Sequence, residues 1–125
     1  IKHKAIFALA PPGAELEVGF PIWLHKLAKL SVELSIPVNL HCAARTRSTI
    51  ETFCVANKLD VAINFESFSN WGEVMTLLGK VSDTDLVMLV CARRGHFSYN
   101  HYMDRLPTKL EKLLPNHNRI VVYPQ

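Results

Sequence analysis

Apolar and polar positions change their spacing several times along the chain. Five short runs are largely apolar and predict strands, and the uncharged run at residues 86–92 is typical of a strand covered on both faces of a parallel sheet. These runs cover residues 5–10, 36–42, 61–65, 86–92 and 119–123. Between them, apolar residues recur at three- and four-residue spacing with polar residues in the gaps, which predicts four helical segments.

The helical segments have recognisable starts and ends. The first covers about residues 15–34, with Pro21 in its first turn, where the missing N–H of proline costs nothing. The second ends near residues 57–58, the third covers about 71–81, and Pro107 interrupts or restarts the fourth. The expected caps are Thr46 or Ser48 for the second helix, Asn70 for the third, and Asn100 or Asp104 for the fourth.

Strands and helices therefore alternate regularly, in the order βαβαβαβαβ. Such alternation predicts parallel strands joined by right-handed crossovers, and so an α/β fold of three layers, an α/β/α sandwich. The expected strand order is 3-2-1-4-5, with the switch point between the first and fourth strands. A chain of 125 residues without an internal repeat or linker predicts one domain, covering residues 1–125.

Composition narrows the classes of protein that remain. The net charge of +3 is scattered, with no run of four basic residues and no RNP or zinc-finger pattern, so we expect no nucleic-acid partner. The central apolar run, residues 86–92, is far shorter than the ~20 residues of a membrane span. Cys42, Cys54 and Cys91 lie in apolar segments without CxxC spacing, which indicates core thiols in a reducing compartment and not a disulfide framework.

The candidate binding site is the polar, basic loop that follows the fourth strand. Open α/β sheets bind ligands at the carboxyl ends of the strands beside the switch point, so the loop after the first strand should face it. Two guanidinium groups in one loop suit a phosphate or a carboxylate. The candidate ligand-binding residues are Pro11, Pro12, Gly13, Arg93, Arg94, Gly95, Ser98, Tyr99 and Asn100.

Each of these features also has a purely structural interpretation. The arginines can pair with nearby acids in a solvated loop, the residues from Ser98 to Asn100 can end that loop and cap a helix, and the prolines can simply stiffen their turn. The six histidines fall on separate elements without ligand spacing, so no metal site is expected. No Ser-His-Asp or Cys-His arrangement follows from the spacing, so no catalytic residue is expected either.

Five strands in this order, with a loop and a helix after the fourth, resemble the universal stress protein fold, which is adenine nucleotide alpha hydrolase-like. Nucleotide-binding members of that family carry an aspartate at the end of the first strand and Gly-x2-Gly-x9-Gly-Ser/Thr after the fourth, whose amides hold phosphates. Here the first strand ends in Ala10, and the positions counted from Gly95 are Ser98, Thr108 and Lys109. These departures argue against ATP in the usual mode, so no cofactor is expected, although another nucleotide or small anion stays open as a ligand.

A second resemblance covers nearly the whole chain, and it is to the C-terminal cytoplasmic domain of Bacteroidetes monovalent cation:proton antiporters. The similar segments are Pro11-Pro12-Gly13-Ala14-Glu15-Leu16-Glu17 with Gly19-Phe20, Ala92-Arg93-Arg94-Gly95 with Ser98-Tyr99-Asn100 and Leu106-Pro107, and Ile120-Val121-Val122-Tyr123-Pro124. The resemblance implies a regulatory domain joined in cis to a transmembrane antiporter core, at the cytoplasmic face of the inner membrane. The start at Ile1, without methionine, agrees with a piece of such a protein that is itself soluble.

Three functions therefore compete. The first is a regulatory or ligand-sensing domain of a cation:proton antiporter, without catalytic activity of its own. The second is a free-standing, nucleotide-binding universal stress protein. The third is a small hydrolase or transferase on the same fold, which the absence of a recognisable nucleophile and base disfavours.

The last strand predicts an oligomer. Residues 119–123 should form an edge strand whose centre is apolar, with Arg119 and Pro124 as its only obstacles to a partner strand. Two such edges can pair antiparallel across a two-fold axis and make one ten-stranded sheet, so we expect a homodimer. The alternative is that Tyr123 and the helix before the strand cover this edge and leave a monomer.

Overall fold

A computed structural model describes residues 2–124 of the chain. Its strands are β1 Ala5–Leu9, β2 Val38–Cys42, β3 Ile63–Ser67, β4 Asp85–Val90 and β5 Arg119–Val122. Its α-helices are α1 Phe20–Leu34, α2 Ala44–Ala56, α3 Val74–Leu78 and α4 Leu106–Leu113. Three short 3-10 helices are interspersed, at Ala14–Leu16, Trp71–Glu73 and His101–Asp104.

The five strands form one parallel sheet in the order β3-β2-β1-β4-β5. In this register Ile6 of β1 lies beside Val38 of β2 on one side and Leu86 of β4 on the other. The predicted α/β class, the parallel sheet and its strand order are therefore confirmed, and β1 and β4 adjoin at the switch point.

Helices cover both faces of the sheet, which makes the predicted three layers. Alternate residues of β1 belong to different cores: Ile6 and Ala8 pack with α1 and α2, whereas Phe7 and Leu9 pack with α3 and α4. This double burial explains why the runs that form β1 and β4 are apolar without alternation. The two tryptophans lie in the two cores, Trp23 on the first face at 2% exposure and Trp71 on the second at 9%.

The predicted start of the first helix, at residue 15, is wrong. Residues 14–16 form a separate 3-10 turn, Glu17 is extended (φ −75°, ψ 141°), and α1 begins at Phe20 with Pro21 in its first turn as expected. The chain straightens at Glu17 because its side chain points into the protein, where it accepts a hydrogen bond from Ser98. At the other end of α1, Leu34 is 41% exposed.

The capping of the second helix was also predicted incorrectly. Helix α2 begins at Ala44 with Ala43 as its N-cap, and no side chain caps it. Thr46 lies inside the helix because its hydroxyl instead donates to Glu15 Oε1 at 2.7 Å. The hydroxyl of Thr46 was expected to cap the helix, but it bonds to Glu15, which is distant in the sequence.

The remaining elements follow the prediction more closely. Asn70 and Asn100 act as caps, accepting hydrogen bonds from the N–H groups of Gly72 and Tyr102, but each cap opens a 3-10 turn before the α-helix. Helix α3 ends at Leu78 instead of residue 81, and β3 lies two residues later than predicted. Leu113, the last residue of α4, is 46% exposed. Within residues 2–124, no helix has the length and apolar character needed to cross a bilayer.

Candidate functional site

The candidate site lies at the carboxyl ends of β1 and β4, which pair as far as Leu9 and Leu89. After β1 the chain turns at Pro11–Gly13, where Gly13 has φ +87°. The N–H of Ala14 donates to the carbonyl of Pro11 at 3.0 Å and closes this turn. A residue with a side chain rarely adopts that backbone conformation, so glycine is required here by local geometry.

The loop after β4 is a second compact turn. Gly95 has φ +90°, the N–H of His96 donates to the carbonyl of Arg93, and the N–H of Tyr99 donates to that of His96. The exposed part of this loop extends from Arg93 to Phe97, whereas Ser98 is only 3% exposed. The predicted basic loop is therefore present after β4, as the strand order requires, but the hydroxyl group of Ser98 points into the protein.

The two loops meet at the switch point. A Cβ atom added to Gly13 would lie 3.3 Å from the carbonyl oxygen of Phe97, so the two backbones are in direct contact. Ser98 Oγ donates to Glu17 Oε2 at 2.8 Å, and Glu17 is 4% exposed. This hydrogen bond, which we call the Glu17–Ser98 tie, joins residues 81 positions apart in the chain.

Glu17 is the site residue that sequence reasoning missed. It lies between Leu16 and Val18, and the structure reverses the expected order of burial, with those apolar neighbours 58% and 84% exposed. His96 adds to the same carboxylate, with Nδ1 3.8 Å from Oε1. The available signal was an acid placed directly between two apolar residues, Leu16 and Val18.

The arrangement of Ser98, Glu17 and His96 differs from that of a hydrolytic triad. In a triad the hydroxyl donates to the imidazole, and its oxygen faces the substrate. Here the hydroxyl of Ser98 donates to the carboxylate, and the serine is buried under both loops. The group therefore serves to hold the loops together.

The two arginines of the loop point in different directions. The guanidinium of Arg93 lies over the ring of Tyr123, 4.6 Å from its centroid. Arg94 Nη2 contacts Asp104 Oδ2 at 3.1 Å, and Tyr99 donates its hydroxyl to the same oxygen at 2.7 Å. The hydrogen bonds from Tyr99 and Arg94 lower the pKa of Asp104, and the bond to Asp104 raises the pKa of Arg94.

The remaining candidate residues form the walls of this region. Pro11 is buried, and Pro12 and Gly13 are half-buried, on the β1 side. Asn100 caps the 3-10 helix that leads into α4, as its structural interpretation predicted. The sequence thus identified two loops that do come together, while the tie between them was not predicted.

Other polar groups near the carboxyl edge are buried in the core. Burial raises the pKa of the Cys42 and Cys91 thiols to about 11, which keeps both neutral at physiological pH. His41, at the end of β2, is 5% exposed and packs on Phe7 with ring centroids 4.5 Å apart. Burial lowers the pKa of His41, and its Nδ1 atom has no hydrogen-bond partner among residues 2–124.

Two points concern metal and redox chemistry. In the part of the chain that the structure describes, no three His, Cys, Asp or Glu side chains are grouped closely enough to hold a metal ion. The three cysteines form no disulfide, and Cys54 is half-buried instead of fully buried.

Larger cavities lie away from the switch point. One of about 440 Å³ lies between α1 and β5, and one of about 530 Å³ lies between α1 and the end of α2. A smaller one of about 130 Å³ lies at the ends of β2 and β3, beside Cys42, Arg47 and Phe65.

Comparisons with protein-family models, with curated proteins and with solved structures gave no match.

Proposed function

We propose that the chain is the C-terminal cytoplasmic regulatory, ligand-sensing domain of a monovalent cation:proton antiporter, acting by binding and not by catalysis. Two features support this proposal. The segments that resemble the antiporter domain form both loops at the switch point and the last strand. The sheet also has the strand order of the universal stress protein fold.

The observation that carries the proposal is the Glu17–Ser98 tie. It joins the loops after the two adjacent central strands through one buried, charge-assisted hydrogen bond, and such a contact can be made or broken as a unit. An anion that engages Arg94 would compete with Asp104 for the guanidinium. Binding there would favour loop positions that differ from those described, and a transmembrane core in cis would sense the change.

The transport assay tests this function on the whole antiporter. In everted membrane vesicles, cation-driven proton movement is followed by the fluorescence of a pH-sensitive dye. We expect deletion of the domain, and replacement of both Arg93 and Arg94 by alanine, to alter the pH or cation dependence of transport. Lys112→Ala, an exposed charge on α4, is the matched control.

Two outcomes would contradict the proposal. One is a reading frame that encodes this chain alone, without upstream segments of the ~20 apolar residues that span a membrane. The other is transport whose pH and cation dependence are the same with and without the domain.

We also propose a homodimer through β5. The N–H groups of Val87 and Cys91 donate to the carbonyls of Asn118 and Val122 at 3.0 and 2.8 Å. Alternate peptide groups of β5, Val121 among them, therefore face away from β4 and toward a second copy. Ile120 and Val121 are 37% and 39% exposed at this edge.

Sedimentation equilibrium tests the dimer. Val121→Pro removes one outward-facing N–H, so we expect it to shift the chain to monomer, while Val121→Thr keeps the N–H and the dimer. A single 14.1 kDa species for the unmodified chain at every concentration would contradict it.

A further inference from the structure

A groove runs between α1 and β5, on the opposite side of β4 from α3 and α4. Its main cavity has a volume of about 440 Å³, within the range of ~300–1,000 Å³ found for small-molecule sites. A second cavity of about 200 Å³ shares Trp23, Lys26 and Val122 with it and continues along β5 to Tyr123. Together the two form an elongated apolar channel, which we call the α1–β5 groove.

The floor of the groove is apolar and rigid. Trp23 and Met88 form it, and they are only 2% and 4% exposed. The indole N–H of Trp23 donates to Met88 Sδ at 3.3 Å, and sulfur is a weak acceptor. This N–H is therefore already engaged and is not offered to a ligand. The lining that remains suits a hydrocarbon chain better than a polar ring system.

The rim of the groove carries positive charge on one side. Three charged residues of α1 line the main cavity, namely Lys26, Lys29 and Glu33. Lys29 Nζ lies 3.8 Å from Glu33 Oε1, whereas Lys26 makes no hydrogen bond or ion pair within residues 2–124. Lys26 also lines both cavities, so this residue lies where the two meet.

We propose that the α1–β5 groove binds a single-chain amphiphile with an anionic head, the chemistry of a fatty acid. The chain lies over Trp23 and Met88 toward Ile120, and the head contacts Lys26. This site is separate from the switch point, and the proposal does not depend on the antiporter function.

A second copy of the chain fits the groove less well. Pairing of β5 edges extends the sheet in its own plane, beside the groove and not into it. An amphiphile satisfies both the apolar floor and the unpaired ammonium group at once.

The two tryptophans supply the test, because Trp23 lines the groove and Trp71 packs on the opposite face of the sheet. In the Trp71→Phe variant Trp23 is the only tryptophan. Its fluorescence is measured while 11-bromoundecanoate is added below the concentration at which it forms micelles. We expect saturable quenching, because bromine quenches indole only at short range.

Head-group specificity is tested with two reagents of the same chain, the neutral 11-bromoundecanol and the cationic (11-bromoundecyl)trimethylammonium. We expect the carboxylate to bind at least tenfold more tightly than either. Lys26→Gln should reduce this preference to less than threefold, and Lys80→Gln, at an exposed lysine remote from the groove, should leave it unchanged. Ile120→Asp should abolish quenching by the carboxylate, since it adds a negative charge to the channel.

If Trp71→Phe does not fold, the unmodified chain and Trp23→Phe are compared, because both retain Trp71 and only the first should be quenched. Three results would overturn the proposal. They are unsaturable or absent quenching of Trp23, equal affinity for the three head groups, and protection of Trp23 that rises with protein concentration as dimers form, which would show a second copy over the groove.

Discussion

The switch point and the α1–β5 groove differ in how much space they leave and in what their polar groups contact. At the switch point, polar groups of the chain itself satisfy one another, with Ser98 donating to the buried carboxylate of Glu17. In the groove, an apolar cavity of about 440 Å³ stays open beside Lys26, which makes no hydrogen bond or ion pair within residues 2–124. Ligands of open α/β sheets bind at the carboxyl ends of the strands, which indicates the switch point. The cavity with space for a ligand, however, is the α1–β5 groove.

The contrast teaches that topology and free volume are set by different parts of the sequence. Strand order brings the loops after β1 and β4 together, but the residues inside those loops decide whether space remains between them. Gly13 allows the backbone to approach Phe97, so here a glycine closes the gap between loops. The groove is open because α1 covers β5 only in part and leaves Ile120 37% exposed.

The strongest test of the closed region is Ser98→Ala. It removes the donor to a buried carboxylate, and hydrogen bonds to charged groups contribute about 1.5–3 kcal/mol. We expect that loss in the free energy of unfolding, measured with urea, while Ser69→Ala in an exposed loop changes it by less than ~0.5 kcal/mol. Equal free energies of unfolding for the two variants would show that the Glu17–Ser98 tie does not stabilise the fold.

The glycines of the two loops give a smaller, paired effect. Both have positive φ, so alanine at either position costs about 1–2 kcal/mol through backbone strain. A Cβ at Gly13 also meets Phe97, whereas a Cβ at Gly95 meets nothing within 4 Å. Thermal unfolding should therefore show Gly13→Ala to be the less stable variant, and the reverse order would contradict the loop contact.

Acid should destabilise the sheet near its carboxyl edge. Burial lowers the pKa of His41 from 6.5, so the unfolded chain binds a proton at a pH where the folded chain does not. Stability should thus fall as the pH is lowered from 6.5 toward the depressed pKa of His41. His41→Leu should flatten this part of the pH profile, measured by urea unfolding, and an unchanged slope would exclude His41 as its source.

The smallest expected effect is the binding of ATP at the switch point. Ser98 and Thr108 replace two glycines of the phosphate-binding pattern, and the acid expected after the first strand is absent. Isothermal titration should show weak binding or none, and replacing Ser98 and Thr108 by glycine should not create tight binding. Micromolar affinity of the unmodified chain would contradict this expectation.

Sequence patterns predicted the strands and their parallel pairing because strands and helices alternate regularly, and because burial on both faces makes residues 86–92 an uncharged apolar run. They did not predict where the first two helices begin, because there a hydrogen bond to a residue distant in the sequence outweighs the local preference of the side chain that makes it. Thr46 had the right hydroxyl for a cap, but Glu15 accepts its hydrogen bond.

The sequence predicted which two loops meet at the candidate site, but it did not predict that a buried hydrogen bond joins them. Strand order alone brings Gly13 and the basic loop to the same point. The Glu17–Ser98 tie depends on the distance between residues 81 positions apart, which no local pattern contains. The groove depends on how far α1 covers β5, which is likewise a property of the packed structure.

The Glu17–Ser98 tie has a consequence for how tightly any anion can bind between the two loops. If separating them costs about 1.5–3 kcal/mol, the separated form makes up from about one molecule in ten to about one in a hundred. The apparent dissociation constant is the intrinsic one divided by that fraction, so it is weakened about tenfold to a hundredfold. Ser98→Ala should recover most of that affinity, and a partner that holds the loops apart would act as a positive effector without touching the anion.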